Sequence, residues 1–366
     1  MNEKEQLVLE LIRKNPFVSQ QEIADEMKLS RPAVANLISG LMKKGIITGR
    51  AYVIPEMQKI VCIGGANVDR KFHLKNDAQL GTSNPTTATV AIGGVARNIA
   101  ENLGRLGHAV KLMTVAGQDA DWELITTYSE PFMDLSSVQQ LPGESTGSYS
   151  AVLDPHGELV IAMATMDVYT SLTPDYISLN ERHIAQASMI VMDLNCTKAT
   201  SEFVRRLAVR HGTPLTIVPV SSPKMANMPD TLEGVTWFIC NEDEAEAYTG
   251  IPIDTINDWE RAVLALLDAG AEHVVVTRGS EGVMAADRQT KQILHAKAIQ
   301  EVQVEDVTGA GDAFISGLLH GVVSGWPNDK AVQAGRVNAA KTLESPSTVR
   351  PELTVSQLEH EMEEYK

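Results

Sequence analysis

The chain has 366 residues, of which 43% are hydrophobic and 21% charged, the balance of a folded globular protein and not of a disordered one. Its formal charge of -16 is uneven: residues 1–59 sum to +2 and the rest to -18, so the body repels nucleic acid over most of its surface. Three scattered cysteines (Cys62, Cys196, Cys240) offer no disulfide framework or CxxC knuckle, and the lack of a signal-like start or a long apolar run leads us to expect a cytoplasmic chain with no membrane partner.

Residues 1–54 read as a small helical domain. Leu7, Val8, Leu11 and Ile12 recur at helical period, and Pro16 follows the end of that helix. Ser19 with Glu22 three residues later is a capping box that opens QQEIADEMK. Ser30 opens RPAVANLISGLMKKG, with Pro32 in the first turn, a buried face of Val34, Leu37, Ile38 and Leu41, and Gly45 at the end. The KLS turn between these helices fits a helix-turn-helix, and IITGRAYVI fits a hairpin with a Thr-Gly turn. Together they resemble a winged helix-turn-helix of the bacterial regulator type. Arg31 and Asn36 on the proposed recognition helix could face DNA, and Lys43, Lys44 and Arg50 could reach phosphates. A winged helix can equally serve protein contacts, and a local charge of +2 does not choose between the two. Residues 51–59, with Pro55, form the junction.

The body begins with KIVCIGGANVD, a short apolar strand that runs straight into two glycines. Similar strands with polar ends recur at 110–117, 188–195, 214–221, 236–244 and 273–282, with helical stretches such as ARNIAENLGRLG and SEFVRRLAVRHG between them. Strands apolar on both faces and alternating with helices predict an α/β fold with a covered parallel sheet. Ligands of such sheets sit beyond the C-terminal strand ends, where Asp193, Asn195, Asn241, Glu244, Thr277 and Gly279 fall. Segments 67–92 and 144–165 differ: GSYSAVLD and ELVIAMATM alternate and are joined by a DPHGE turn, which predicts a small β lid. The chain closes at 351–366 with a charged helix that has one solvated face.

DVTGAGDAFISGLLHG carries the strongest chemical signal. Gly309, Ala310 and Gly311 precede an apolar helical run, where small residues let backbone N–H groups point at an anion. Asp312 lies at the same place, where a carboxylate can orient a hydroxyl and accept its proton. A second cluster, Gly93-Gly94, leads into a helix with Arg97 and Asn98 near its start. Asn67 and Asp69 follow the first strand and could grip sugar hydroxyls. For each cluster a plain turn or cap is the competing interpretation. Neither GxxxxGK[ST] nor a GxGxxG after the first strand is present.

GGVARN and DVTGAGDAF, in that order and spacing, resemble the two signatures of the ribokinase-like (PfkB) family of carbohydrate and nucleoside kinases, from about Lys59 to Ser347. IGGANVD, GGVARNIAENLGRLG, GESTGSYSAVLD and GELVIAM are most similar to the pseudouridine kinases within it. The resemblance implies an αβα sandwich over 59–350 with a small β lid that closes on the acceptor and often joins two copies into a homodimer. It implies ATP and Mg²⁺ as cosubstrates and, as is common in such enzymes, a monovalent cation such as K⁺. By the same resemblance Asp312 is the base and Gly309, Ala310 and Gly311 form the anion hole. Asp69, Gly93, Gly94 and Asn98, with Asn67 beside them, match acceptor-binding positions. Asn241 and Glu244 match an NxxE motif that organises Mg²⁺, commonly through water; a capped acidic helix start is the competing interpretation. Thr277, Gly279 and Gly282 match the flank of the ATP groove, the helix around Asn338 the border of the adenine, and Lys224 is placed to face ATP phosphates.

In the lid, Thr146, Ser148 and Tyr149 could meet a nucleobase, although Ser and Thr also simply favour strands there. Val218 stands where the family often has an aspartate, so other contacts must compensate. The implied acceptor is the 5′-hydroxyl of a nucleoside, pseudouridine first, with inosine, cytidine or a sugar such as ribose as alternatives. The other class of function is a ligand-responsive DNA-binding regulator with the kinase body as sensor.

Overall fold

A computed structural model describes residues 3–15, 18–47, 59–300 and 302–365. Arg50, Pro16, the expected Thr-Gly turn and the junction 51–58 lie outside the described residues. The N-terminal part consists of α1 (Glu3–Lys14), α2 (Gln20–Glu26) and α3 (Arg31–Lys43), closed around Val8, Ile23, Val34 and Leu41. Its caps form as the sequence dictates. Ser19 Oγ accepts from Glu22 N (3.1 Å), Glu22 Oε2 accepts from Ser19 N (2.8 Å), and Ser30 caps α3.

β1 (Ile60–Ile63), β2 (Asn67–Leu74), β3 (Thr86–Gly93), α4 (Val95–Arg105), β4 (Val110–Met113), β5 (Val115–Gly117), α5 (Ala120–Ser129) and β6 (Gln139–Leu141) follow. Next come β7 (Gly147–Leu153), β8 (Leu159–Thr165), α6 (Pro174–Leu179), α7 (Glu181–Ala185), β9 (Met189–Asp193), α8 (Lys198–His211), β10 (Leu215–Val218) and β11 (Trp237–Asn241). The remainder is α9 (Glu242–Thr249), α10 (Ile256–Asp268), β12 (His273–Thr277), β13 (Val283–Asp287), β14 (Ile293–Ala296), α11 (Ala310–Val323), α12 (Asn328–Leu343) and α13 (Val355–Glu364).

Eight strands form the main sheet in the order β14-β13-β12-β11-β10-β9-β1-β4. β12 to β4 run parallel, and β13 and β14 are antiparallel. Side chains alternate between two core layers. Val61, Ile63, Ile190, Met192 and Phe238 pack on one face; Ile60, Cys62, Met189, Val191 and Ile239 pack on the other. Helices cover both faces, which is why the strands read as continuous apolar runs. Residues 110–117, expected as one strand, form two. β4 stays in the main sheet, while β5 turns away to pair with β6, because the Thr114 carbonyl accepts from Gln139 N (3.1 Å).

Four further strands form the lid, in the order β3-β2-β7-β8. Register places Asn67 opposite both Gly93 and Gly147, and Asp69 opposite Ala91 and Tyr149. At the C-terminal edge of the main sheet, the ends of β1, β9, β10, β11 and β12 face the root of this lid and the start of α11. No helix among the described residues is long and apolar enough to cross a membrane.

Candidate active site

One side of the site is built on two glycine turns. Gly94 opens α4 with φ +98, and a Cβ there would lie 2.4 Å from the Gly65 carbonyl. Only glycine lets the two turns approach this closely. Asp193, at the end of β9 and 1% exposed, holds them together: its Oδ2 accepts from Gly65 N (2.9 Å) and Ala96 N (3.0 Å). Its Oδ1 accepts from Asn195 N (2.9 Å). Burial raises the Asp193 carboxyl above the ordinary carboxylate range, against these three donors and the Asn195 side-chain amide, which lower it.

Asn67, Asp69, Gly93 and Asn98 converge above this anchor. Asn67 Nδ2 donates to Asp69 Oδ1 (2.6 Å), and a Cβ at Gly93 would lie 2.2 Å from the Asp69 carboxylate. Burial pushes the Asp69 carboxyl up to about 6, with Asn67, Lys71 and Arg97 pulling the other way. Asn98 Nδ2 donates to Asp312 Oδ2 (2.8 Å). The orientation of that amide is set by Arg97, which is buried, donates to Asn98 Oδ1 (3.0 Å) and to Ser129 Oγ (3.1 Å), and pairs with Glu101.

Asp312 lies in the first turn of α11, whose cap Gly309 has φ +85. A Cβ on Gly309 would meet the Thr348 carbonyl at 2.1 Å, so the turn requires glycine. The first N–H groups of a helix have no carbonyl four residues back, and here they open beside Asp312. Burial pushes the Asp312 carboxyl up to about 7; the Asn98 bond and Arg97 oppose the rise, and the Asp193 and Asp69 charges add to it. A carboxylate so placed is a proton acceptor suited to neutral pH.

A cavity of about 140 Å³ continues from Asp312 along the strand ends, lined among others by Val218, Asn241, Glu244, Thr277 and Gly311. Asn241 and Glu244 form a reciprocal cap on α9: Asn241 Oδ1 accepts from Glu244 N and Glu244 Oε2 from Asn241 N, both at 2.9 Å. The capping interpretation therefore holds, and the buried Glu244 carboxylate also borders the cavity. Among the described residues no three His, Cys, Asp or Glu side chains gather as a metal cage. A cation here would take most of its ligands from water and phosphate, as Mg²⁺ does with nucleotides. Val218 presents an aliphatic wall at 4% exposure. Lys224 sits on the short 3₁₀ turn Ser222–Asn227 that follows β10, and Gly279 and Gly282 shape the β12–β13 turn.

Other expected residues are placed differently. Asn338 is fully buried, not beside an open groove. It donates to the Ala313 carbonyl (2.8 Å) and Asn102 Oδ1 (3.2 Å) and accepts from Arg350 Nε (3.1 Å), so it has no face left for adenine. Thr146 is 2% exposed and its hydroxyl donates to Asp119 Oδ1 (2.7 Å), which pins the root of β7. Strand alternation puts Tyr149 on the lid face of Asp69 and Ser148 on the opposite face. Lys44 is held by Glu5 (2.7 Å), while Arg31, Asn36 and Lys43 are exposed on α3. Sequence reasoning missed the anchoring role of Asp193, the placement of Asn195 beside Gly65, and Lys71. The polar ends of the strands pointed to Asp193 and Asn195; nothing in the sequence pointed to Lys71.

Residues 57–354 match the pfkB family carbohydrate kinases, and residues 1–48 match the winged helix-turn-helix DNA-binding family. An uncharacterized sugar kinase of Escherichia coli is 30% identical over 97% of this chain and 97% of its own length. Pseudouridine kinase of the same organism is 28% identical over 82% of this chain and 95% of its own. A carbohydrate kinase structure from Agrobacterium tumefaciens superposes with a TM-score of 0.70 at 30% identity, over 84% of this chain and 97% of that one.

Proposed function

The chain belongs to the pfkB family of carbohydrate kinases, and on that premise we propose that it transfers the γ-phosphoryl group of ATP to the 5′-hydroxyl of a nucleoside, pseudouridine foremost. The observation that carries this reading is the Asn98–Asp312 bond (2.8 Å), which joins an acceptor wall to a proton acceptor at a helix N-terminus. Asp69 and Asn67 present paired polar groups to ribose hydroxyls, and Tyr149, next to Asp69 on the same lid face, flanks the base. The relation to a pseudouridine kinase over 95% of that protein's length supports the specific acceptor.

In this reading the acceptor oxygen attacks the γ-phosphorus in line. Asp312 takes the hydroxyl proton as the O–P bond forms and ADP leaves. The amides of the Gly309–Gly311 turn hold the equatorial oxygens. Mg²⁺ supplies neutralisation of phosphate charge when it arrives with ATP, and Asn241 and Glu244 would hold it through water. Lys224 lies at the same strand-end edge and adds a cation for the phosphates. Mg²⁺-dependent ATP consumption with pseudouridine, uridine, cytidine, inosine, adenosine, ribose and fructose, checked by product mass, tests the proposal. A strong signal with pseudouridine and a monophosphate product is expected; a stronger one with another acceptor replaces the substrate and leaves the transfer chemistry.

We also propose that the lid joins two copies. β8 is an edge strand, and Ile161, Met163 and, across the sheet, Val90 are each more than half exposed on the face away from Asp69. Such an apolar edge invites a partner. Sedimentation should give a dimer, and Ile161→Lys with Met163→Lys should give a monomer; a wild-type monomer sinks the idea. DNA contact through Arg31, Asn36 and Lys43 is a separate proposal, favoured by their exposure on α3 and by the family matched at 1–48. It requires that Arg31→Ala weaken binding to DNA upstream of the protein's own gene in a mobility-shift measurement.

A further inference from the structure

Lys71 lies two residues beyond Asp69 on β2, so its side chain leaves the lid on the same face as Asp69. Its ammonium donates to Asp306 Oδ2 and lies 3.3 Å from Thr308 Oγ1. The other oxygen of Asp306 accepts from Thr308 N (2.9 Å) and Thr308 Oγ1 (2.7 Å), which closes the turn leading into Gly309. Beyond that turn, Thr348 abuts Gly309 and donates its hydroxyl to the Ile92 carbonyl on β3 (2.7 Å). β2 is thus tied to the loop that presents the helix start by an ion pair, and β3 is hydrogen-bonded to Thr348, which packs on that loop.

The charge balance gives this contact a purpose. Asp306 is three residues from Gly309, and a bare carboxylate there would repel any phosphate drawn to the helix amides. The Lys71 ammonium cancels that charge, and it is carried by the lid on the same face as Asp69. We propose that Lys71 is a positioning residue for phosphoryl transfer: it serves as the fixed counter-cation of Asp306 and couples lid placement over the acceptor to the geometry of the Asp306–Gly309 turn. The proposal rests on the phosphoryl-transfer reading of the Asp312 site.

The experiment uses the full-length protein, Lys71→Met and Lys71→Arg. Lys71 is partly exposed and methionine reproduces its unbranched stem without the ammonium, so folding should be unaffected. Lys71→Met should lose about 30-fold in kcat, since small misplacements of reacting groups cost on the order of 10²-fold. KM for the acceptor should move by less than about 3-fold, because ground-state contacts are retained. Lys71→Arg should recover most of the lost kcat, and ammonium chloride, unlike choline chloride, should partly restore Lys71→Met. A Lys71→Met enzyme within about 2-fold of wild type, the behaviour of an ordinary surface ion pair, overturns the proposal. So does an equal loss in both variants. Hydrogen exchange needs no turnover and separates this idea from the transfer reading. Amides from Thr308 to Asp312 should exchange faster in Lys71→Met than in wild type, and unchanged exchange there overturns it even where the wild-type enzyme accepts none of the tested acceptors.

Discussion

Asp312→Asn is expected to lower kcat by about 10²–10⁴-fold, the usual contribution of a positioned general base. Asn98 would still find an oxygen acceptor at position 312, so the fold and the affinity for ATP and acceptor should be largely kept. The wild-type pH profile carries a second signature. The base must be ionised to act, and burial holds its carboxyl near 7. Turnover should therefore fall as pH drops through about 7, well above the ordinary aspartate range near ~3.9. The same group links stability to pH with a definite sign. Between about pH 4 and 7 the folded chain keeps a proton that the unfolded chain has released, so this group's contribution to stability falls as pH rises. Asp312→Asn cannot ionise and should melt higher than wild type above pH 7 and not below pH 4. Near-normal turnover in Asp312→Asn, or an acid limb at the ordinary carboxylate pKa, would falsify the assignment of the base.

Arg350→Met should be strongly destabilising although it lies away from the site. Arg350 is fully buried, and two of its guanidinium nitrogens donate to Glu361 at 2.8 and 2.7 Å. Its Nε donates to Asn338, which in turn bonds the Ala313 carbonyl on α11 and Asn102 on α4. Asn102 Nδ2 reaches the Asn98 carbonyl at 2.9 Å. A polar chain thus ties α13 to the helices that carry Asn98 and Asp312. Removing the guanidinium leaves the buried Glu361 carboxylate without a counter-charge, held only by the Gln357 amide at 2.8 Å, which costs about 3–5 kcal/mol. In a chain of this size that lowers the melting temperature by on the order of 10 °C. Adding Glu361→Met removes the orphaned charge and should recover most of the loss. If Arg350→Met melts like wild type, or the double variant is no better than the single, the pair does not hold α13 in place.

Much of the fold was legible because its determinants are local. Strands such as IVCI and MIVMD must be buried on both faces, and the structure puts alternate residues in opposite core layers. Ser19 and Glu22, or Asn241 and Glu244, meet because residues three apart at a helix start cannot avoid each other. The glycines of GGVARN and DVTGAGDAF were readable because Gly94 and Gly309 adopt positive φ where a Cβ would strike backbone. The partners of buried polar groups were not readable. Asn338 sits between Val337 and Ala339 on α12 with nothing local to mark it, and only the packed structure reveals that Arg350, Ala313 and Asn102 consume its amide. Thr146 looks like any lid threonine until Asp119 is found bonded to it.

The sequence by itself determined a covered parallel sheet, a β lid, a capped helical domain ahead of them, and two glycine turns at helix starts. Periodicity, caps and backbone conformation depend on residues a few positions apart, and those spacings are written in the chain. Only the tertiary structure decided that Asp193 anchors Gly65 and Ala96 from 128 and 97 residues away, that Asn98 meets Asp312 across 214 residues, and that Lys71 reaches Asp306 across 235. A buried carboxylate or amide takes its role from the donors and acceptors that surround it in space, and folding alone brings those together.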